Sequence, residues 1–232
     1  MRFTVSNFCV GYGSIAVINN VSLDLAQGES VAILGRNGMG KSTFLKGILG
    51  LLPRARGSVR IDGVETIAES TSRTIRRGVA FAGQEGANFG ELTVEENLAS
   101  ATLYTKSDPR RERALLEIFP ILGQRRHQRA GTLSGGEQRM LALVRVLLAA
   151  PRVIVLDEIS AGLQPAKIAE VEAALRWERR ERGTTVLMVE QNLDLAMRLA
   201  DRVLIMKLGQ FILEESTSNP GLRDRLVDQL AP

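Results

Sequence analysis

The glycine-rich segment at residues 35–42 constrains the chain more than any other feature. It reads Gly-Arg-Asn-Gly-Met-Gly-Lys-Ser, with the Gly-x4-Gly-Lys-Ser spacing of a phosphate-binding loop. An apolar run at residues 31–34 precedes it, and residues 43–49 continue as the expected helix. Glycines let backbone amides approach phosphate, and the helix N-terminus adds a favourable dipole. The sequence therefore predicts a strand, loop and helix that bind a nucleoside triphosphate.

Each residue type in this loop has an expected task. Lys41 can reach the β- and γ-phosphates, and the Ser42 hydroxyl is placed to ligate Mg²⁺. The alternative, a chance glycine-rich turn, is disfavoured by the strand before it and the helix after it. The other residues expected to contact the nucleotide are Gly35, Asn37, Gly38, Gly40 and Thr43.

A pair of acids follows a second apolar run. Residues 153–156 read Val-Ile-Val-Leu and are followed by Asp157 and Glu158. The carboxyl ends of parallel strands line the ligand crevice in doubly wound folds. We expect Asp157 to bind Mg²⁺, directly or through water, and Glu158 to act as the general base for the attacking water. A strand that simply ends in solvated acids is the alternative.

A third motif lies between these two. Residues 133–138 read Leu-Ser-Gly-Gly-Glu-Gln. Ser134 is a good helix N-cap, and Gly135 and Gly136 leave amides accessible at that helix N-terminus, which makes a second anion site. With its position after the phosphate loop and before the acidic pair, this string resembles the signature of ATP-binding cassette (ABC) ATPases. The resemblance covers nearly the whole chain.

The resemblance implies an α/β fold: a P-loop NTPase (RecA-like) core with a parallel sheet, an N-terminal antiparallel β part and an inserted helical subdomain. The sequence pattern agrees, since it is strand-rich to residue 82, helical from about 92 to 133, where Thr93 can cap one helix and Asp108 opens another, and alternates between strand and helix afterwards. We expect one domain over residues 1–232, with its core in 1–85 and 134–232 and its helical subdomain in 86–133. In this family, ATP and Mg²⁺ lie between the P-loop of one subunit and the signature of another.

Other positions are assigned by the same resemblance. Tyr12 is where the family places an aromatic ring that stacks on adenine, although an ordinary core or surface tyrosine is the alternative. Gln84 corresponds to the glutamine that senses Mg²⁺ and water. Residues 160–163 correspond to a loop that crosses the dimer interface.

The chain departs from the family at two positions. Ile159 replaces a proline after the general base, and Gln191 stands where most members carry a histidine. Its amide can donate to a phosphate oxygen, so we expect Gln191 to be a neutral γ-phosphate sensor. Alternatively, Gln191 only caps the helix that begins at Asn192. His127 is the one histidine of the chain, and we expect it on the surface of the helical part.

Three strings refine the resemblance. Residues 189–192, 84–86 and 92–98 resemble the smaller ATPase subunit type of branched-chain amino acid uptake systems, whose relatives serve urea and short amides. This implies an ATP-hydrolysing importer subunit that works with membrane permease subunits and with a second ABC ATPase, either a copy of itself or a paralogue. A stand-alone ABC ATPase, for example in iron–sulfur cluster assembly, is the alternative. Permease genes next to the gene for this chain would distinguish the importer subunit from the stand-alone ATPase.

Composition limits the environment of the chain. No apolar run reaches the roughly 18 residues of a membrane span, and residues 1–6 lack the apolar region of a signal peptide. We expect a cytoplasmic protein, peripheral on the inner face of the plasma membrane through its partners only. The net charge is +4, with two tyrosines and one tryptophan, so aromatic–basic interleaving for nucleic acid is absent. The arginine clusters are interpreted as solvated helix faces, with attraction to anionic headgroups as the alternative.

Overall fold

The fold is described from a computed structural model, which covers residues 1–83, 88–103, 105 and 108–230. Strands in these ranges are β1 (Phe3–Tyr12), β2 (Ile15–Leu25), β3 (Ser30–Leu34), β4 (Arg56–Ile61), β5 (Val64–Glu65), β6 (Val79–Ala82), β7 (Val153–Asp157), β8 (Thr185–Glu190), β9 (Arg202–Lys207) and β10 (Gln210–Ser216). Helices are α1 (Lys41–Ile48), α2 (Thr71–Arg76), α3 (Val94–Ser100), α4 (Pro109–Ile118), α5 (Pro120–Gln124), α6 (Gly135–Leu148), α7 (Pro165–Arg182), α8 (Leu193–Leu199) and α9 (Leu222–Leu230).

Two β-sheets organise these elements. The N-terminal sheet is antiparallel, with strand order β2-β1-β4-β5. The larger sheet has the order β10-β9-β3-β8-β7-β6, in which the strands from β9 to β6 are parallel and β10 is antiparallel to β9. The predicted fold class, a parallel α/β core with an antiparallel N-terminal β part, is confirmed.

The centre of the parallel sheet is buried because its strands are apolar except at their ends. Every residue of β3, β7 and β8 is buried, as expected for a sheet covered on both faces. Alternate residues of β3 enter two different cores. Val31 and Ile33 join α1 and the N-terminal sheet on one face, whereas Ala32 and Leu34 join α6, α7 and α8 on the other.

Side-chain caps begin the helices where the sequence predicts. Thr93 accepts a hydrogen bond from the amide of Glu96 (3.2 Å), and the Glu96 carboxylate accepts one from the amide of Thr93 (2.7 Å). Asp108 accepts from the amide of Arg110 at the start of α4 (3.0 Å). Each such N-cap typically contributes about 1 kcal/mol to the stability of the helix or of the protein.

The segment from α3 to α5 is helical and packs on the rest of the chain. Leu98, Leu115 and Phe119 are buried in the same hydrophobic core as α6 and α7. The division of the chain at residues 86 and 133 into core and helical subdomain stays a prediction.

The structure adds two helices that the sequence reasoning did not predict, α2 and α9. In α9, Leu222 and Leu226 are four residues apart on one helix face, and both are buried in the main core. In the part of the chain with described structure, no helix has the length and apolar composition that crossing a bilayer requires.

Candidate nucleotide site

Three chain segments meet at the carboxyl edge of the parallel sheet. The register places Leu34 of β3 beside Glu190 of β8, and Asp157 of β7 beside Val189 of β8. The segments that follow these strands, residues 35–41, 158–163 and 191–192, therefore emerge next to one another. This edge is where open α/β sheets bind their ligands.

The conformation of the phosphate loop requires glycine at two positions. Gly38 has a φ of 80° and Gly40, the N-cap of α1, has a φ of 101°, values that side chains disfavour. A Cβ on Gly40 would also lie 2.9 Å from Cδ1 of Ile18. The loop therefore keeps its backbone bare at the start of α1, and a helix N-terminus with bare amides is suited to an anion.

Lys41 is held inside this loop. Its Nζ donates to the carbonyl oxygens of Gly35 (2.8 Å) and Arg36 (3.0 Å) and lies 3.5 Å from Oε1 of Glu158. The side chains of Lys41 and Glu158 are both buried. The first helical turn thus places a cation beside the phosphate-binding backbone and beside the predicted general base.

Ser42 and Asp157 form a set of hard oxygen donors. The Ser42 hydroxyl donates to Oδ1 of Asp157 over 2.9 Å, although they lie 115 positions apart in sequence. Burial raises the pKa of Asp157, while this hydrogen bond opposes the increase. In the described ranges no three or more His, Cys, Asp or Glu side chains group as a metal centre. One carboxylate and one hydroxyl still suit Mg²⁺, because this ion usually takes its other ligands from phosphates and water.

Glu158 has an unusual backbone conformation. Its φ of 50° lies in the left-handed region, which costs about 1–2 kcal/mol for a residue with a Cβ. Its amide donates to the carbonyl oxygen of Val189 (2.9 Å), and its own carbonyl accepts from the amide of Ala161 (3.1 Å). Such strain persists only where surrounding contacts enforce it, and it is concentrated at functional sites.

Gln191 contacts the phosphate loop directly. Its Nε2 donates to Oδ1 of Asn37 over 2.8 Å, and both residues are exposed. The N-cap of α8 is Asn192, whose Oδ1 accepts from the amide of Leu195 (3.0 Å). Asn192 therefore fills the capping role itself, and the alternative in which Gln191 only caps this helix is wrong.

The glycine motif after residue 133 forms a capped helix start. The Ser134 hydroxyl accepts from the amide of Glu137 (3.3 Å), and the Glu137 carboxylate accepts from the amide of Ser134 (2.9 Å). Ser134 and Gly135 are exposed, and the position of a Cβ on Gly135 has open space around it. Gly136 is close to Leu163 of the 160–163 loop, since a Cβ there would lie 3.2 Å from Cδ2 of Leu163.

The remaining predicted residues are placed as follows. Tyr12 lies at the end of β1 with 52% of its surface exposed, and Thr43 is buried in α1. Gln84 lies outside the described residues. His127 has 87% of its side chain exposed and approaches Glu95 at 3.4 Å, so the surface location predicted for it is confirmed.

Sequence reasoning missed Glu190 at this site. Its side chain is buried, with 1% exposure, and it accepts hydrogen bonds from the amide (3.1 Å) and hydroxyl (2.6 Å) of Ser160. Burial raises the pKa of Glu190, and the donors from Ser160 oppose that increase. The available signal was its position, because Glu190 ends an apolar strand as Asp157 does.

This fold and glycine loop define an α/β protein of the nucleoside-triphosphate-binding P-loop class, and comparisons with known proteins give its family. The family described as ABC transporter matches residues 18–161. The high-affinity branched-chain amino acid transport ATP-binding protein BraG of Pseudomonas aeruginosa is 40% identical over 219 residues, covering 92% of this chain and 94% of that protein. The phosphonates import ATP-binding protein PhnC 2 of Nostoc sp. is 34% identical over 220 residues, covering 90% of each.

A solved structure is similar over almost the whole chain. It is the dimeric, post-hydrolysis state of an ATP-binding cassette bound to ADP and Pi, with 25% identity and a TM-score of 0.81, and the match covers 94% of this chain and 99% of that one. The chain belongs to the ABC transporter family, as an ATP-binding ATPase subunit.

Proposed function

We propose that this chain hydrolyses ATP to drive the import of branched-chain amino acids or related small amino acids and amides. The observation that carries the cargo assignment is the 40% identity to the branched-chain amino acid protein over 92% of the chain. The phosphonate protein is less similar, at 34%. The motor residues are common to such proteins, so cargo selection is expected to lie in the membrane partners.

The phosphates of ATP bind the amides of residues 38–42 and the ammonium of Lys41. Ser42 and Asp157 hold Mg²⁺, whose chemistry when bound is to neutralise charge on the phosphoryl oxygens. Gly35, Asn37 and Thr43 complete the phosphate site. Tyr12, exposed at the end of β1, stacks on the adenine ring. Gln84 senses Mg²⁺ and the attacking water.

Hydrolysis uses Glu158 and Gln191. The Glu158 carboxylate takes a proton from a water molecule as the water oxygen attacks the γ-phosphorus. The bond from the γ-phosphorus to the β–γ bridging oxygen breaks, which yields ADP and phosphate. Lys41, 3.5 Å from Glu158, stabilises the transferring phosphoryl group. The amide of Gln191, which reaches the phosphate loop at Asn37, donates to a γ-phosphate oxygen.

The complete site uses two ATPase subunits. Ser134, Gly135 and Gly136 present the exposed N-terminus of α6, where they bind the γ-phosphate held by the P-loop of a partner subunit. A dimeric cassette of the same fold supports this arrangement. The partner is a second copy of this chain or a paralogue.

An apolar groove is suited to a permease subunit. It lies beside α2, β6 and α6 and is lined by Leu51, Ile75, Phe81, Ala101 and Val146, among others. Leu51 and Ile75 are about half exposed, and Gly83, which precedes Gln84, also lines the groove. Contact here would hold the subunit on the cytoplasmic face of the membrane through its partners. Nucleic acid has no part in the proposed function.

Uptake by cells tests this proposal. A strain lacking the gene is expected to lose uptake of labelled leucine, isoleucine or valine and to keep phosphonate uptake. Wild-type chain should restore uptake, as should Arg180→Ala, an exposed control on α7, whereas Lys41→Ala should not. Loss of phosphonate uptake instead would contradict the cargo assignment. Unchanged uptake of every solute would contradict a transport role and favour a stand-alone ATPase.

A further inference from the structure

Glu190 is a buried acid at the nucleotide edge with no part in the scheme above. It is the last residue of β8, is 1% exposed and pairs in register with Leu34, the residue before the phosphate loop. It also comes directly before Gln191. Since acids are rarely buried without a specific partner, its contacts indicate what it does.

The carboxylate of Glu190 joins two of the segments that form the site. Oε1 accepts from the amide of Ser160 (3.1 Å), and Oε2 accepts from the hydroxyl of Ser160 (2.6 Å). The backbone amides of Gln191 and Asn192 also stabilise its charged form. One side chain thus connects the loop after β7 to the segment after β8.

Ser160 lies in the turn that holds Glu158. It is two residues beyond Glu158, and the amide of the next residue, Ala161, donates to the Glu158 carbonyl (3.1 Å). Glu158 itself has a φ of 50°, a conformation that needs support from outside the residue. Two hydrogen bonds from Ser160 to the end of the buried strand β8 give that support.

We infer that Glu190 is a positioning residue for ATP hydrolysis, which acts through Ser160 to hold Glu158 at the attacking water. It touches no reacting atom. The inference rests on the proposed role of Glu158 and is independent of the transported cargo.

A double-mutant cycle tests the link between the two residues. Glu190→Gln replaces one carboxylate oxygen with a group that cannot accept, and Ser160→Ala removes only the hydroxyl donor. In the assembled transporter, each change is expected to lower kcat for ATP hydrolysis by about fivefold or more, with KM for ATP within twofold of wild type. The double variant should be no slower than Glu190→Gln alone, because both changes break one interaction. Ser160→Thr, which keeps a hydroxyl, should retain more activity than Ser160→Ala.

Thr184→Val is the matched control. The Thr184 hydroxyl donates to Oε1 of buried Glu178 over 2.8 Å, just before the other end of β8. This variant loses the same kind of hydrogen bond far from Glu158, so its melting temperature should fall while kcat stays within twofold. If Glu190→Gln does not fold, Ser160→Ala with Ser160→Thr gives the same comparison.

Three results would overturn the inference. They are a kcat within twofold of wild type for Ser160→Ala, multiplicative losses in the double variant, or an equal loss of kcat in Thr184→Val. Glu158→Gln, measured in parallel, separates the two claims. If Glu158→Gln turns over normally, the general-base role fails whatever the Glu190 variants do.

Discussion

Replacing Gln191 by alanine separates two roles for its side-chain amide. The structure shows one hydrogen bond, from Nε2 of Gln191 to Oδ1 of Asn37 at 2.8 Å. A neutral hydrogen bond contributes about 0.5–1.5 kcal/mol to stability. If Gln191 only orders Asn37, and the whole of that contribution is lost from the transition state, kcat should fall by roughly 2- to 13-fold. A hydrogen bond to a charged group contributes about 1.5–3 kcal/mol. Donation to the γ-phosphate in the transition state therefore predicts a loss of roughly 13- to 160-fold.

The assay is steady-state ATP hydrolysis by the assembled transporter at saturating ATP and Mg²⁺. We expect Gln191→Ala to lose at least tenfold in kcat, Asn37→Ala to lose less, and Gln191→His to keep substantial activity because imidazole can also donate. His127→Ala is the control, since that side chain is 87% exposed, and its kcat should not change. A loss of kcat for Gln191→Ala that stays below about tenfold and matches that of Asn37→Ala would favour simple ordering of Asn37 over the phosphate-sensor role. A kcat within twofold of wild type, or a damaging His127→Ala, would refute the sensor role outright.

Three further changes have defined outcomes. Lys41→Ala should lose most ATP affinity in a nucleotide-binding titration, because Lys41 contacts phosphate before and during reaction; unchanged affinity would contradict its placement. Ser134→Arg should abolish ATP turnover but leave ATP binding to the isolated chain intact, and a matching loss of binding would argue against a site shared between subunits. Arg111→Ala should lower the free energy of unfolding in urea by about 3–5 kcal/mol, because it removes the buried ion-pair partner of Glu178, whose side chain is 0% exposed. Arg182→Ala, which removes a half-exposed partner 3.8 Å from the same carboxylate, should cost under about 1 kcal/mol, and equal losses would contradict the ranking of these two arginines.

Local chemistry made much of this fold predictable from sequence. The phosphate loop follows from its glycine spacing, and Gly40 has the positive φ that such a loop needs. The helix starts at Thr93, Asp108 and Ser134 follow from short polar side chains that satisfy nearby amides. Continuous apolar runs identified the central strands, because parallel strands are buried on both faces.

Features that depend on distant residues were not predictable in this way. The hydrogen bond between Gln191 and Asn37 spans 154 positions, and the bond between Ser160 and Glu190 spans 30. Glu158 has a positive φ, which a glutamate side chain does not favour, and its backbone is hydrogen-bonded to Val189 and Ala161. Helix α9 was missed although Leu222, Leu226 and Leu230 have helical spacing, because a few apolar residues in a short charged segment are a weak pattern.

In the proposed mechanism, Glu158 performs the chemistry at an ATP site closed by two subunits. Single-turnover ATP hydrolysis by Glu158→Gln, with dimer formation followed by size-exclusion chromatography, tests it most directly. We expect wild-type ATP affinity, a loss of about 10²-fold or more in rate, equivalent to roughly 2.7 kcal/mol of barrier, and an accumulated ATP-bound dimer. A wild-type rate, or a variant that stays monomeric with ATP bound both alone and with the paralogous ATPase subunit added, would contradict it.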